Sequence, residues 1–263
     1  MECGFLTSLP GARAQTFHAD TTPPSQRACE AQTIKVQLAL VDVGSDMGPF
    51  EVGGVDVRSR VLGIAALPDG VHFVVGLGIG DNQGEVRLYH VDGTLVHAFE
   101  GHTGPAWSVA VTPDGQHIIS GANDKRVKVW SIASKSLVST CNGHTHPIEA
   151  VAAMPDGQRF LSGSSDETVR VWLLDGTLEN TFELHAHNVL ALVALPDNQH
   201  ALSGFSDGTV KLFNVNDGGV LRTFKHHTHV VSSLALLPDG LRFVSSGTCD
   251  TAFVVELGLA PFV

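Results

Sequence analysis

Residues suited to acid–base and nucleophilic chemistry recur along this sequence in a fixed order. His102, Ser120 and Asp124 are followed by His144, Ser162 and Asp166, then by His185, Ser203 and Asp207, and last by His227 and Ser245. Each serine lies 18 residues after its histidine, and each aspartate four after its serine. A hydrolytic triad uses these types, with histidine taking the proton of a serine nucleophile and a carboxylate orienting the imidazole. Catalysis needs one such set, with its serine open to substrate beside an oxyanion hole. Repetition of the set argues for a structural part. Gly204-Phe205-Ser206-Asp207-Gly208 also fits the G-x-S-x-G nucleophile pattern. That motif works at a strand-to-helix elbow, whereas here it spans a strand-to-strand turn in repeat register.

Metal and cofactor chemistry fare no better. Of 14 histidines, three pairs have the spacing His144-x-His146, His185-x-His187 and His227-x-His229. A zinc ion needs its ligand nitrogens about 2 Å away, and equivalent loops of successive repeats lie too far apart to share one ion. These histidines are expected to be solvated, with no metal bound. Gly76-Leu77-Gly78-Ile79-Gly80 lacks the third spaced glycine and the helix of a dinucleotide site, so no cofactor is predicted. Cys3, Cys29, Cys141 and Cys249 form no CxxC pair and suggest neither zinc site nor disulfide framework, which points to a reducing compartment.

The elements that must position these residues are set by a turn. Pro68-Asp69-Gly70, Pro113-Asp114-Gly115, Pro155-Asp156-Gly157, Pro196-Asp197-Asn198 and Pro238-Asp239-Gly240 recur at intervals of 45, 42, 41 and 42 residues, each between two apolar runs. A period near forty with turn chemistry means a repeat protein whose unit is a β-sheet. Val127-Lys128-Val129-Trp130, Val169-Arg170-Val171-Trp172 and Val210-Lys211-Leu212-Phe213 alternate apolar and cationic residues, as strands do.

Charge narrows the partners. With 16 Lys and Arg against 27 Asp and Glu, the net charge is −11, which disfavours nucleic acid and anionic membranes. No apolar run reaches the roughly 18 residues of a membrane span, so no membrane insertion is expected. Gly4 to Leu9 is apolar but too short, and lacks the basic flank of a signal peptide.

Gly101-His102 to Val129-Trp130 and Gly143-His144 to Val171-Trp172 closely resemble the WD-repeat family of β-propellers, over about residues 50 to 257. The resemblance implies an all-β propeller of four-stranded antiparallel blades, each repeat giving its outermost strand, d, to the preceding blade. Five repeats are recognisable. It also implies that each histidine, serine, aspartate and tryptophan hydrogen-bond in series, tying the d–a loop to strands b and c inside one blade. Phe213 has no N–H to give, so the fourth network should be shorter.

The ends are less regular. In the first repeat Val57 stands at the histidine position, Tyr89 replaces tryptophan, and Gly76 to Gly84 carries about three extra residues. Thr248-Cys249-Asp250 reads as one residue longer than its counterparts, and no strand d follows in the fifth repeat. Phe50-Glu51-Val52-Gly53 is suited to supply that strand. The domains are therefore a propeller over residues 50–263 and a segment 1–49 that is either irregular or a degenerate sixth blade, with Ile34 to Val43 as its strand c.

Family resemblance also implies a binding rim. The position five residues after each motif histidine lies at the top of the central channel, and here holds Leu62, Trp107, Glu149, Leu190 and Ser232. Two residues earlier come Arg60, Pro105, Pro147, Asn188 and Val230, while Asn123, Ser165 and Ser206 share the rim. The expected function is a non-enzymatic scaffold or adaptor that binds a protein or peptide on this rim, with no acid, base or metal set outside the repeat register to support catalysis. The alternative is a structural subunit of an assembly that uses the blade edges. Either belongs in the cytoplasm or nucleus.

Overall fold

The computed structural model describes residues 33–34, 55–56, 60–79, 83–184, 187–248 and 252–259, and these contain strands and turns but no helix. β1 (Thr33–Ile34) pairs with β2 (Val55–Asp56) as a separate two-residue bridge. The remaining strands form five antiparallel sheets. The first blade is β3 (Arg60–Ala66), β4 (His72–Ile79), β5 (Gln83–His90) and β6 (Leu95–His102). The second is β7 (Ala106–Val111), β8 (His117–Ala122), β9 (Val127–Ser131) and β10 (Ser136–Cys141). The third is β11 (Ile148–Ala153), β12 (Arg159–Ser164), β13 (Val169–Leu173) and β14 (Leu178–Phe182). The fourth is β15 (Val189–Ala194), β16 (His200–Phe205), β17 (Val210–Asn214) and β18 (Val220–Phe224). Among the described residues the fifth has three strands, β19 (Val231–Leu236), β20 (Arg242–Gly247) and β21 (Ala252–Glu256).

The Pro-Asp-Gly turns explain the strand pairing. Gly70, Gly115, Gly157 and Gly240 donate their N–H to the carbonyl of the residue before the proline and adopt φ of 66–71°, where a side chain is disfavoured. Asn198 takes the same place at φ 58°, as asparagine can. The aspartate caps the turn: Asp156 Oδ1 accepts from Gln158 and Arg159 N–H, and Asp239 Oδ1 from Leu241 and Arg242 N–H.

Burial runs from the inside of each blade outward. Second strands of the first four blades are buried on both faces, while fourth strands such as β10 and β18 are largely exposed. Neighbouring blades meet at a glycine. A Cβ on Gly121, Gly163 or Gly204 would fall 2.4, 2.5 or 2.7 Å from a methyl of Ile148, Val189 or Val231, each the buried opening residue of the next blade's first strand. The β-branched side chain of one blade therefore seats directly on the backbone of the last.

Three expectations change. Ser245 pairs with Phe253 as Ser120 pairs with Lys128, so the fifth b–c turn has no extra residue; counting from Ser245 sets Cys249 at the aspartate position. Val75 pairs with Arg87, so the first hairpin is four residues longer, not three, and its strands extend to the Ile79–Gln83 pair. The third concerns the histidine network and is described below. The expected closing strand 50–53, Val57, His185 and nearly all of the degenerate sixth blade considered above lie outside the described residues.

Candidate functional site

The His-Ser-Asp-Trp residues form one hydrogen-bonded chain in the second blade and another in the third. Trp130 Nε1–H donates to Ser120 Oγ at 2.8 Å, Ser120 Oγ lies 2.8 Å from His102 Nε2, and His102 Nδ1 lies 2.9 Å from Asp124 Oδ2. With the serine hydroxyl donating to Nε2, every member is satisfied by a neutral histidine that donates from Nδ1. Trp172, Ser162, His144 and Asp166 repeat this at 2.8, 2.7 and 2.8 Å. The aspartates also accept the backbone N–H of Thr103 and Thr145. Burial pushes the His144 imidazole below its ordinary value, and Asp166 only partly opposes that. Burial acting on Asp124 would raise its carboxyl, but the bonds from His102 and the backbone outweigh it and hold it low.

His102 closes β6, which pairs within the first blade, while its ring bonds to β8 and to the turn after it in the second. In the second blade the network thus reaches across from the end of the first, rather than working inside one blade as expected, while His144 lies in the loop between β10 and β11, where the d–a position was expected. It cannot serve as a triad: the His102 side chain is 1% exposed, Ser120 is fully buried, and its hydroxyl is already tied to the indole N–H. In the fifth blade His227 Nε2 retains the bond to Ser245 Oγ at 2.8 Å, with the Phe253 ring packed edge-on at 4.8 Å.

The fourth blade has Ser203 and Phe213, both fully buried, and among the described residues Ser203 Oγ donates to the Lys211 carbonyl at 3.5 Å. Phe213→Trp would supply an N–H to that hydroxyl. It is expected to stabilise by about 0.5–1.5 kcal/mol, reduced by any strain of fitting the larger ring beside Phe182. The gain should vanish on the Ser203→Ala background in denaturant titrations; a gain that survives would assign the effect to ring packing.

A different set converges on the axis. Arg60, Leu62, Pro105, Trp107, Glu149, Leu190 and Ser232 line one cavity of about 510 Å³ together with residues from the first strand of every blade. What puts them there is a shared irregularity. In each first strand the register slips by one residue, between Val61 and Gly63, Ala106 and Ser108, Ile148 and Ala150, Val189 and Ala191, and Val231 and Ser233. The skipped residues are Leu62, Trp107, Glu149, Leu190 and Ser232. A β-bulge bends the strand and re-aims a side chain, and here five bulges turn five side chains into one space.

The bulge also brings the following residue to the cavity, so Ser108 and Ser233 line it too. Simple strand alternation hides them, and only a break in the period-two pattern would have pointed to them. Pro147, Asn188, Val230, Asn123, Ser165 and Ser206 sit outside the cavity lining. They form the ledge behind it: Asn123, Ser165 and Ser206 N–H donate to the carbonyls of Pro105, Pro147 and Asn188 at 2.9, 3.0 and 3.1 Å, and Thr248 N–H donates to Val230 at 3.2 Å. Ser165 Oγ donates to Glu149 Oε1 and accepts from Asn188 Nδ2. Burial raises the Glu149 carboxyl above the ordinary range, offset in part by the Ser165 hydroxyl.

Comparison with known proteins agrees with the fold. A family model described as "WD domain, G-beta repeat" matches residues 93–131, 135–172, 176–214 and 218–254. Each match begins around a fourth strand and ends with the third strand of the next blade, the same offset that places His102 across a blade junction. A "66 kDa stress protein" of Physarum polycephalum is 26% identical over 131 residues, covering 49% of this chain and 21% of that protein. "WD repeat-containing protein SL1-17" of Schistosoma mansoni is 28% identical over 140 residues, covering 52% and 44%. "Eukaryotic translation initiation factor 3 subunit I" of Vanderwaltozyma polyspora is 33% identical over 52 residues, covering 20% and 15%. The chain thus spans less than half the length of each of these relatives.

Proposed function

The chain belongs to the WD40-repeat family, and from that premise we propose that it is a non-enzymatic scaffold that binds a protein or peptide at the mouth of its central channel. The observation that carries this reading is the convergence of five bulged residues on one cavity. A cavity of about 510 Å³ lies within the ordinary size range of ligand sites. Trp107, Leu62 and Leu190 offer apolar anchors and Glu149 and Arg60 polar selectors, the composition of an interaction hot spot. Ser165, Asn123 and Ser206 present hydrogen-bonding groups around them, with Pro105, Pro147, Asn188 and Val230 as their backbone support. Among the described residues no helix is long and apolar enough to cross a membrane, and the proposal places the protein in the cytoplasm or nucleus.

Affinity capture followed by mass spectrometry tests it. Trp107→Ala and Leu190→Ala are expected to lose, by tenfold or more, the partners recovered by the unaltered chain, with melting temperatures little changed. Equal recovery by all three proteins would reject the channel mouth as the binding surface.

A second reading has its own support. Leu95, Leu137, Val138, Leu178, Val220 and Leu221 on the fourth strands are 42–48% exposed, an apolar scatter around the circumference suited to a subunit held by its blade edges. The word "subunit" in the name of one relative is in keeping with that arrangement. Capture that fails on Leu137→Asp and Leu178→Asp but survives Trp107→Ala would favour it.

A further inference from the structure

Glu149 differs from the other half-buried carboxylates of this protein. Glu85 is paired with Arg87 at 2.6 Å, Asp156 with Arg159 at 2.7 Å and Asp197 with His200 at 2.6 Å, while Asp124 and Asp166 each hold a histidine. Glu149 is bonded to the neutral Ser165 hydroxyl, and among the described residues no cation forms an ion pair with it. A partly desolvated carboxylate without a counter-charge is costly to keep. It is nevertheless fixed in place, because Ser165 is itself held by Asn188.

We infer that the partner inserts a lysine or arginine side chain into the channel mouth, beside the Glu149 carboxylate and the Trp107 indole. This rests on the channel mouth being the binding surface. Trp107 and Glu149 occupy matching bulges of adjacent blades and line the same cavity. An indole face attracts a cation, and a carboxylate beside it supplies the charge-assisted hydrogen bond. Leu62 and Leu190 add apolar wall to the same cavity, suited to the methylenes of a long cationic side chain. Arg60, the one cation of the lining, is exposed, so its repulsion is screened by water and salt. The net charge of −11 steers a basic partner toward the protein and away from nothing it must bind. A single carboxylate is too few oxygens for a calcium or magnesium site.

Four phage-displayed heptapeptide libraries, with the central residue fixed as arginine, lysine, methionine or glutamate, test the inference on the full chain and on Glu149→Gln and Trp107→Ala. The arginine and lysine libraries are expected to enrich about tenfold over methionine, the ratio that 1.4 kcal/mol corresponds to, and Glu149→Gln should erase that preference. Glu149→Gln removes an unneutralised charge while keeping the side chain's size, so it should melt no lower than the unaltered chain. Enrichment of methionine or glutamate that depends on Trp107 would overturn the cationic partner and leave the binding surface standing. A preference for arginine and lysine that persists in Glu149→Gln would overturn it as well. If no library depends on Trp107, the surface itself is wrong and the inference falls with it.

Discussion

Trp130→Ala is expected to destabilise the protein by about 3–5 kcal/mol, the cost of truncating a large buried aromatic in a core that relaxes only partly. Trp130 is 2% exposed and packs across a blade junction, with the Phe99 ring of the first blade 5.6 Å away. Its loss leaves a cavity shared by two sheets and removes the donor that ends the Ser120 and His102 chain. Trp130→Phe separates the two effects: it keeps most of the ring and loses the N–H, so about 0.5–1.5 kcal/mol should go. Trp107 provides the contrast within one repeat, since it is half-buried at the channel mouth and its truncation should cost stability little. Urea titrations of the three variants check this ordering. Equal losses for Trp107→Ala and Trp130→Ala would show that Trp107 is a packing residue and remove it from the binding surface.

The difference between these tryptophans was visible in the sequence as a difference of register. Trp130 recurs as Trp172 and Phe213 at a fixed distance from a serine, which marks a part shared by successive blades, whereas Trp107 aligns with Glu149, Leu190 and Ser232, which share no chemistry. The turns were equally legible, because a Pro-Asp-Gly sequence encodes its own backbone angles. The bulges were not. A bulge is a slip between two strands, and its cause lies in the twist and packing of the pair rather than in the type of the bulged residue. The first blade was obscured for another reason. Where the second and third blades use serine and tryptophan it has Val75 and Tyr89, and Tyr89 stacks on Phe73 at 5.5 Å with the rings 16° from parallel. An apolar stack replaces a hydrogen-bonded chain at the same place in the sheet, which preserves the shape and erases the motif.

Gly163→Ala is the sharper test of how the blades meet. Its new Cβ would lie 2.5 Å from Val189 Cγ1, well inside van der Waals contact, and Val189 is fully buried with no room to withdraw. Overpacking of this kind costs about 1–3 kcal/mol. Val189→Ala alone should also destabilise, through the cavity it leaves. Combined, the two substitutions add one methyl at Gly163 and remove the two γ-methyls of Val189 across one junction, so the double variant should be more stable than the sum of the single losses predicts, by a coupling of about 0.5–3 kcal/mol. Chemical denaturation of the four members of this cycle measures that coupling. A value near zero would mean that the third and fourth blades can separate by the width of a methyl group at no cost. The channel mouth would then not be held to the geometry that aims five bulged side chains into one cavity, since those side chains ride on the same first strands that these glycines and valines lock together.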